Sequence, residues 1–329
     1  MSAKIQTLQK YPNNSLDNKE FMQDVLVGLS RKNKQLSSKY FYDAVGSSLF
    51  NQITHHPDYY LTGCELEILK HHKKELSDLL KDEEFNLVEF GPGEGLKTNI
   101  LINQFLKDHL SFTYYAVDIS KKYLDNLVNQ FKQKLPQLNV VALNSDYIAG
   151  IEWLSLNSSK RNFLLFLGSS IGNFDIPAAK KFLQNVRNSL HEGDYFLIGF
   201  DLRKEINILL RAYNDSDGLT REFNLNLLRR INNELQSNFD LDSFYHYGIY
   251  NPHTGAMESY LISLEDQIVH ISALKKSFTF KKFEPIRVES SYKYSAPQIK
   301  KLAKESGFEI IKNYSDSKKY FINSLWQAH

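Results

Sequence analysis

The stretch Leu87-Val88-Glu89-Phe90-Gly91-Pro92-Gly93-Glu94-Gly95-Leu96-Lys97-Thr98 constrains the fold more than any other part of the chain. An apolar run enters a glycine-rich turn, and a helical pattern leaves it. In a doubly wound α/β sheet a buried parallel strand hands over to a helix in this way. The crossover leaves backbone N–H groups and free space at the carboxyl end of the strand, where such folds bind nucleotides. The spacing is not G-x-G-x-x-G, because Leu96 and Thr98 occupy the two places where the later glycine could stand. The gap that precedes G-K-[ST] in a phosphate-binding loop is also missing. A pyrophosphate therefore fits poorly, and a plain strand-to-helix turn remains the simple alternative.

Strand candidates at 86–90, 112–117, 140–143, 161–167 and 194–200 alternate with helical stretches at 97–107, 121–134 and 178–190. Alternation at this spacing predicts crossover units and a parallel sheet. Upstream, 18–29 and 62–80 have helical spacing, and residues 1 to about 16 are polar and turn-rich, as expected of a segment lying loosely on the surface. After the fifth strand the pattern changes. Residues 203–246 read as helical and polar with no strand, and 259–264, 268–272 and 278–280 read as an antiparallel meander. A helix at 297–305 and strands at 308–314 and 320–325 then close the sheet as a hairpin. The nucleotide fold is thus read as interrupted. Residues 1–63 and 203–293 are assigned to a second, α+β substrate domain, and 64–202 and 294–329 to the nucleotide-binding domain.

Charge excludes several classes of function. The 40 basic and 38 acidic residues nearly cancel, which gives no electrostatic case for nucleic acid or an anionic membrane. The single cysteine, Cys64, excludes an intrachain disulfide framework and a cysteine-cluster metal site. No apolar run approaches the ~20 residues that span a bilayer, and the first residues lack the apolar core of a secretory signal. The expectation is a cytoplasmic monomer with a small-molecule partner and no metal.

The glycine turn, Asp118 and Asp146 sit at the tips of three successive strands, where a single ligand would use all three. Asp118 can accept both ribose hydroxyls of an adenosine, or it can cap the next helix. Asp146 can take an adenine amino group while Tyr147 packs on the ring, or it too can be a cap. Gly168-Ser169-Ser170-Ile171-Gly172-Asn173 follows the fourth strand, and Asn173 offers both an acceptor and a donor. The histidines show no metal spacing, and the G-x-S-x-G of a hydrolase is absent.

Glu89-Phe90-Gly91-Pro92-Gly93 is similar to the E/D-x-G-x-G turn of methyltransferases that use S-adenosylmethionine. Around it stand Lys39-Tyr40-Phe41-Tyr42-Asp43, Gly46-Ser47-Ser48-Leu49-Phe50, Pro57-Asp58-Tyr59-Tyr60, Arg211-Ala212-Tyr213-Asn214-Asp215, Phe223-Asn224 and Glu289-Ser290-Ser291-Tyr292-Lys293-Tyr294. With these motifs the chain resembles, from about residue 19 to 326, the histidine-specific Nα-methyltransferases that make histidine betaine for ergothioneine. The resemblance implies a class I methyltransferase fold, a Rossmann-like doubly wound sheet with an antiparallel last strand, plus the substrate domain described above. It implies that Gly91, Gly93, Lys97, Asp118, Asp146 and Tyr147 contact S-adenosylmethionine. It implies that Tyr42 and Asn173 hold the substrate's α-amine, that Tyr59, Asn173 and Tyr213 hold its carboxylate, and that Glu289 and Ser291 bind the imidazole, with Thr220 acting through water. One position departs from the family. Ser259 stands where a methionine typically packs beside the imidazole, with Met257 two residues earlier on the same strand face. The extra room opens the substrate to question, because Glu289 can accept an N–H from histidine or from tryptophan. The same chemistry on another amino acid or a small amine, and a ligand-binding homologue without turnover, are the competing readings.

Overall fold

The computed structural model describes residues 4–7 and 15–329. The chain divides into two compact units. One comprises Met1–Tyr11, Gly63–Arg203 and Tyr294–His329; the other comprises Pro12–Thr62 and Lys204–Lys293.

The first unit is built on an eight-stranded sheet. Its strands are β1 (Lys4–Thr7), β2 (Phe85–Phe90), β3 (Phe112–Asp118), β4 (Val140–Asn144), β5 (Arg161–Phe166), β6 (Tyr195–Asp201), β12 (Phe308–Ser315) and β13 (Phe321–Ala328), in the order β1-β4-β3-β2-β5-β6-β13-β12. β1 to β6 are parallel, and β13 inserts antiparallel between β6 and β12. Every residue of β2 is buried, as a strand covered on both faces requires. Its polar residues are therefore paired: the Asn86 amide donates to Asn162 Oδ1 at 2.9 Å, and Glu89 accepts two hydroxyls described below. The chain leaves β2 for β3 on one side, while β5 lies on the other. This is the topological switch point of a doubly wound sheet, and ligands bind beyond the carboxyl ends of the strands there. Helices α4 (Thr98–Lys107), α5 (Lys121–Lys134), α6 (Tyr147–Asn157) and α7 (Ile176–Asn188) make the crossovers, and α10 (Ala296–Glu305) leads into the final hairpin.

Two expectations for this unit are corrected. Lys4–Thr7 is not a loose surface segment but a strand paired in parallel with β4. The outer edge of β4 carries unpaired backbone groups that even a four-residue strand satisfies. The rest of that expectation, at 1–3 and 8–14, lies outside the described residues. Helix α6 was not anticipated, because Tyr147-Ile148-Ala149-Gly150-Ile151-Glu152-Trp153-Leu154 is apolar on most faces and shows little amphipathic periodicity.

The second unit contains helices α1 (Ser15–Ser30), α2 (Ala44–His55), α8 (Ile206–Tyr213) and α9 (Leu219–Leu235), with α3 (Tyr60–Leu79) starting at its boundary. Its sheet has the order β11 (Pro285–Tyr292), β8 (Ala256–Ser263), β7 (Phe244–Asn251), all antiparallel, and β9 (Gln267–Ile271) pairs only with β10 (Lys276–Phe280). The predicted meander is therefore overturned. Both edges of β8 are taken by β7 and β11, so β9 turns away and forms its own two-stranded ribbon. The statement that 203–246 holds no strand also fails, since β7 begins at Phe244. Phe244 and His246 are buried while Tyr245 and Tyr247 are exposed, a half-covered alternation that Tyr and His make hard to see by hydropathy. Phe21, Val25, Phe41, Phe223, Leu227, Ile231, Leu261 and Ile286 fill one continuous core of this unit. Among the described residues no helix is long and apolar enough to cross a membrane.

Candidate functional site

The glycine turn of the first unit is held from beneath by a buried acid. Thr98, in the first turn of α4, donates its hydroxyl to Glu89, and Tyr114 of β3 does so at 2.6 Å. Burial pushes the Glu89 carboxyl up to about 7, opposed by those two hydroxyls and the Lys97 charge. Gly91 has φ +65°, and a Cβ there would meet the Tyr147 hydroxyl at 2.8 Å, so close backbone approach and left-handed geometry both demand glycine. A Cβ at Gly93 would face open space, which leaves the strand tip accessible to a ligand.

Lys97 is bound to an acid that the sequence did not single out. Glu65, from α3, is 0% exposed; its Oε2 lies 2.7 Å from Lys97 Nζ and accepts the Gly168 N–H at 2.8 Å. One carboxylate thus ties the turn after β2 to the turn after β5. A charge on a helix stripe shared with Leu61, Cys64, Ile68 and Leu69 was the available signal, because unpaired acids are almost never fully buried.

Asp118 and Asp146 part ways. Asp118 accepts the Ser120 N–H at 2.7 Å, but the cap of α5 is Ser120 itself. The cap reading of Asp118 is therefore wrong, and its second oxygen accepts no hydrogen bond among the described residues. Burial raises its pKa to about 6, partly offset by the Ser120 N–H. Asp146 does cap its helix, accepting the Ala149 N–H at 2.8 Å. Tyr147 stacks on Phe90 with ring centres 5.1 Å apart. Gly168 and Ser169 both have positive φ and lead into a 3-10 turn, Ser170–Asn173, on which the Asn173 side chain is exposed. A half-buried carboxylate able to take hydroxyl donors, beside an open glycine turn, fits an adenosine-type ligand.

The second unit gathers the remaining candidates into two groups. Tyr42 is partly exposed, and its ring meets Phe50 and Phe223 edge-on at 5.5 and 5.6 Å, while Phe50 also meets Tyr59 at 6.3 Å. This aromatic wall adds Phe50 and Phe223 to the residues anticipated. Asp43, next to Tyr42, caps α2 by accepting the Gly46 N–H at 2.7 Å and also takes the Asn226 amide at 2.8 Å. Thr220 is buried, and its hydroxyl has no hydrogen-bond partner among the described residues.

The polar group lies on β8 and β11. Ser259 donates its hydroxyl to Glu289 Oε2 at 3.0 Å. The two face each other because a bulge between Arg287 and Glu289 resets the register, so that Ser259 pairs with Glu289 and Met257 with Ser291. Bulges of this kind re-aim side chains beside binding sites. Burial raises the Glu289 pKa, against the Ser259 hydrogen bond and the Lys293 charge. Lys293 Nζ donates to Tyr213 Oη at 2.8 Å and Ser291 Oγ at 2.9 Å, and lies 4.8 Å from the centre of the Tyr213 ring. Sequence offered no sign of a buried Lys293, since lysine is ordinarily a surface residue. Within this unit the structure brings Ser259, Glu289, Ser291 and Tyr213 into hydrogen-bonded chains, and it brings Tyr42 and Tyr59 onto the aromatic wall.

The strand order of the first unit and the turn at its switch point are those of a class I methyltransferase. The family described as histidine-specific methyltransferase, SAM-dependent, matches residues 21–328, and this chain belongs to it. It is therefore an S-adenosylmethionine-dependent methyltransferase, as its motifs implied. The histidine N-alpha-methyltransferase of Mycolicibacterium smegmatis is 33% identical over 293 residues, covering 89% of this chain and 90% of that one. Ergothioneine biosynthesis protein 1 of Schizosaccharomyces pombe is 28% identical over 296 residues, covering 88% of this chain and 38% of that one. The 4-dimethylallyltryptophan N-methyltransferase easF of Claviceps fusiformis is 27% identical over 306 residues, covering 87% of this chain and 85% of that one.

Proposed function

We propose that this enzyme methylates the α-amino group of free L-histidine and carries the reaction to Nα,Nα,Nα-trimethylhistidine. The observation that carries this reading is the Ser259–Glu289 pair beside Ser291, in a chain one-third identical to a histidine N-alpha-methyltransferase. Glu289 takes a ring N–H, Ser291 meets the other ring nitrogen, and Thr220 takes part through water. Tyr59, Tyr213 and Asn173 hold the carboxylate, and Tyr42 and Asn173 orient the amine. Gly91, Gly93, Lys97, Asp118, Asp146 and Tyr147 hold the methyl donor, Asp118 through the ribose hydroxyls.

When bound, S-adenosylmethionine supplies an electrophilic methyl group on a sulfonium centre. The protein's task is to hold the amine in line with it at roughly 3 Å, an arrangement worth ~7–11 kcal/mol in avoided entropy and reorganisation. A free α-amine is mostly protonated at neutral pH and sheds its proton to water before attack. Tyr42 and the Asn173 carbonyl then orient the neutral lone pair. Each transfer gives a singly charged ammonium that loses a proton to water before the next, and the third gives a permanent quaternary cation that the Tyr42, Phe50, Tyr59 and Phe223 rings can stabilise by about 0.5–2 kcal/mol.

The test is a panel of amino acids and small amines incubated with S-adenosylmethionine and scored by mass. Histidine gaining three methyl groups is the expected result. A preference for tryptophan, or for an amine without a carboxylate, would sink the histidine reading. The likeness to an enzyme named for a tryptophan derivative makes the indole amino acid the second reading.

A further inference from the structure

We propose that Lys293 is a positioning residue that fixes the hydrogen-bond polarity of the substrate-recognition group, leaving Ser291 to present its proton to the ligand. The inference rests on the reading above and adds a residue to which no role in it has been given.

An ammonium carries three donors and no acceptor. Lys293 therefore donates to Tyr213 Oη at 2.8 Å and to Ser291 Oγ at 2.9 Å. Each hydroxyl gives a lone pair to the lysine, so its own proton must point away from Nζ. Ser291 is 5% exposed, and its hydroxyl makes no other side-chain hydrogen bond among the described residues. Its proton is a buried donor still lacking an acceptor, which a bound ligand would supply. Glu289 stands two residues earlier on the same face of β11, about 6.6 Å along the strand. One of its oxygens is held by Ser259, and the other is left to accept. The strand thus offers one acceptor and one donor to the two edges of a small ring.

That polarity selects a ring with one N–H and one nitrogen lone pair. A neutral imidazole has both. An indole has the N–H but no nitrogen lone pair, and it would leave the Ser291 proton unpaired in a buried site, the arrangement by which polar sites reject analogues most strongly. Lys293 itself is 2% exposed. Its charge also draws the Glu289 carboxyl toward the ionised form, against the burial that raises it. Lys293 thereby orients the Ser291 hydroxyl and acts on Glu289 without being required to touch the substrate.

The experiment compares wild type with Lys293→Met, Lys293→Arg and Ser291→Ala. The readouts are kcat and KM for histidine and tryptophan, KM for S-adenosylmethionine, and thermal unfolding. Loss of the charge-assisted bonds in Lys293→Met is expected to raise the histidine KM by about tenfold or more and to shrink the histidine-over-tryptophan ratio of kcat/KM by a similar factor. The S-adenosylmethionine KM should stay within about twofold, and Lys293→Arg should restore part of the ratio. Ser291→Ala keeps the lysine and tests the donor directly, whether or not Lys293→Met folds. It should cost histidine about tenfold in KM while leaving tryptophan nearly unchanged. A wild-type ratio preserved in Lys293→Met, or a Ser291→Ala that affects both substrates equally, overturns the polarity role and leaves the functional reading standing. A wild type that neither methylates histidine nor binds it in calorimetry with S-adenosylhomocysteine present overturns the functional reading, and the inference with it.

Discussion

Glu89→Gln probes how the glycine turn is held. Burial lifts the Glu89 carboxyl from its ordinary 4.5 to about 7 in the folded chain, against the lowering pull of the Thr98 and Tyr114 hydroxyls and the Lys97 charge. A folded-state value above the unfolded one means that the folded chain holds the proton more tightly. The resulting stabilisation is fully present below about pH 4.5 and is lost as the pH rises through about 7. At roughly 1.4 kcal/mol per pH unit of separation, the loss is about 3 kcal/mol. A glutamine amide has the same shape and does not titrate. Its carbonyl accepts one of the two hydroxyls, and its NH2 faces the other, which can rotate to accept. The assay is urea unfolding of both proteins at several pH values, followed by tryptophan fluorescence. Trp153 and Trp326 are the only tryptophans, and both lie in the unit that contains Glu89. Carboxyls that titrate alike in the two proteins cancel, so the unfolding free energy of wild type minus that of the variant should fall by about 3 kcal/mol between about pH 4.5 and 8. A difference that stays constant would refute the argument. A difference that grows would mean that Thr98 and Tyr114 outweigh burial and hold the group charged throughout.

The same logic applies to the ligand groups. Burial has raised Asp118 to about 6, and it must be ionised to accept two hydroxyls. Its affinity for S-adenosylhomocysteine should therefore be flat above about pH 7 and weaken toward tenfold per pH unit below about 6. In Asp118→Asn calorimetry should find weaker binding without this pH dependence, whereas a pH-independent wild type would remove the role. Glu65→Ala leaves Lys97 and the Gly168 N–H without their shared acceptor. It should cost about 2–4 kcal/mol of stability, somewhat less than a fully buried pair because Lys97 keeps some contact with water, and should raise the S-adenosylmethionine KM; unchanged melting and KM would show that the tie is idle. Glu289→Ala should raise the histidine KM by about tenfold or more through loss of a charge-assisted hydrogen bond, and an unaltered KM would show that Glu289 does not read the ring.

The centre of the first unit's sheet was legible because β2, β5 and β6 are largely apolar on both faces and the α4, α5 and α7 crossovers have a helical period. The predicted 86–90 and 194–200 correspond to Phe85–Phe90 and Tyr195–Asp201, and the helix at 121–134 matches α5 (Lys121–Lys134) at both ends. Strands covered on one face were less legible. β7 carries Tyr and His on alternating positions, and β11 starts with a proline and carries Arg287 and Glu289. Pairing was less legible still: β8 and β9 are neighbours in sequence, but which strands flank β8 is decided by β7 and β11, far away along the chain. Among the candidate residues, Asp118 could not be separated from a helix cap by letters alone, because Asp118-Ile119-Ser120 supports either, and the Ser120 hydroxyl takes the cap. Glu65 and Lys293 went unseen for a common reason. A charge becomes informative only when it is buried and paired, and neither condition is written in the residue itself.

Ser259 shows what that means for specificity. In the sequence it replaces a larger apolar side chain and suggests spare room beside a ring. In the fold it is fully buried, sits opposite Glu289 in the bulged register, and donates to that carboxylate. The exchange therefore gives up apolar contact and gains a hydrogen bond that pins one Glu289 oxygen and favours its ionised form against burial. Met257, one step along the same strand face, is buried against Leu209, Ala212 and Tyr213 rather than opposite Glu289. A thioether wall thus remains in this unit, shifted toward the Tyr213 and Ser291 end. Discrimination at such a site depends less on volume than on direction. A missing methylene costs a ligand about 1–3 kcal/mol, whereas mismatched buried donors and acceptors cost rejected analogues factors of about 10⁴ or more. On the proposed reading, Ser259 holds Glu289 as an acceptor and Lys293 leaves Ser291 as a donor, so the test of that reading is whether the amino acid whose ring carries both complements is the one preferred.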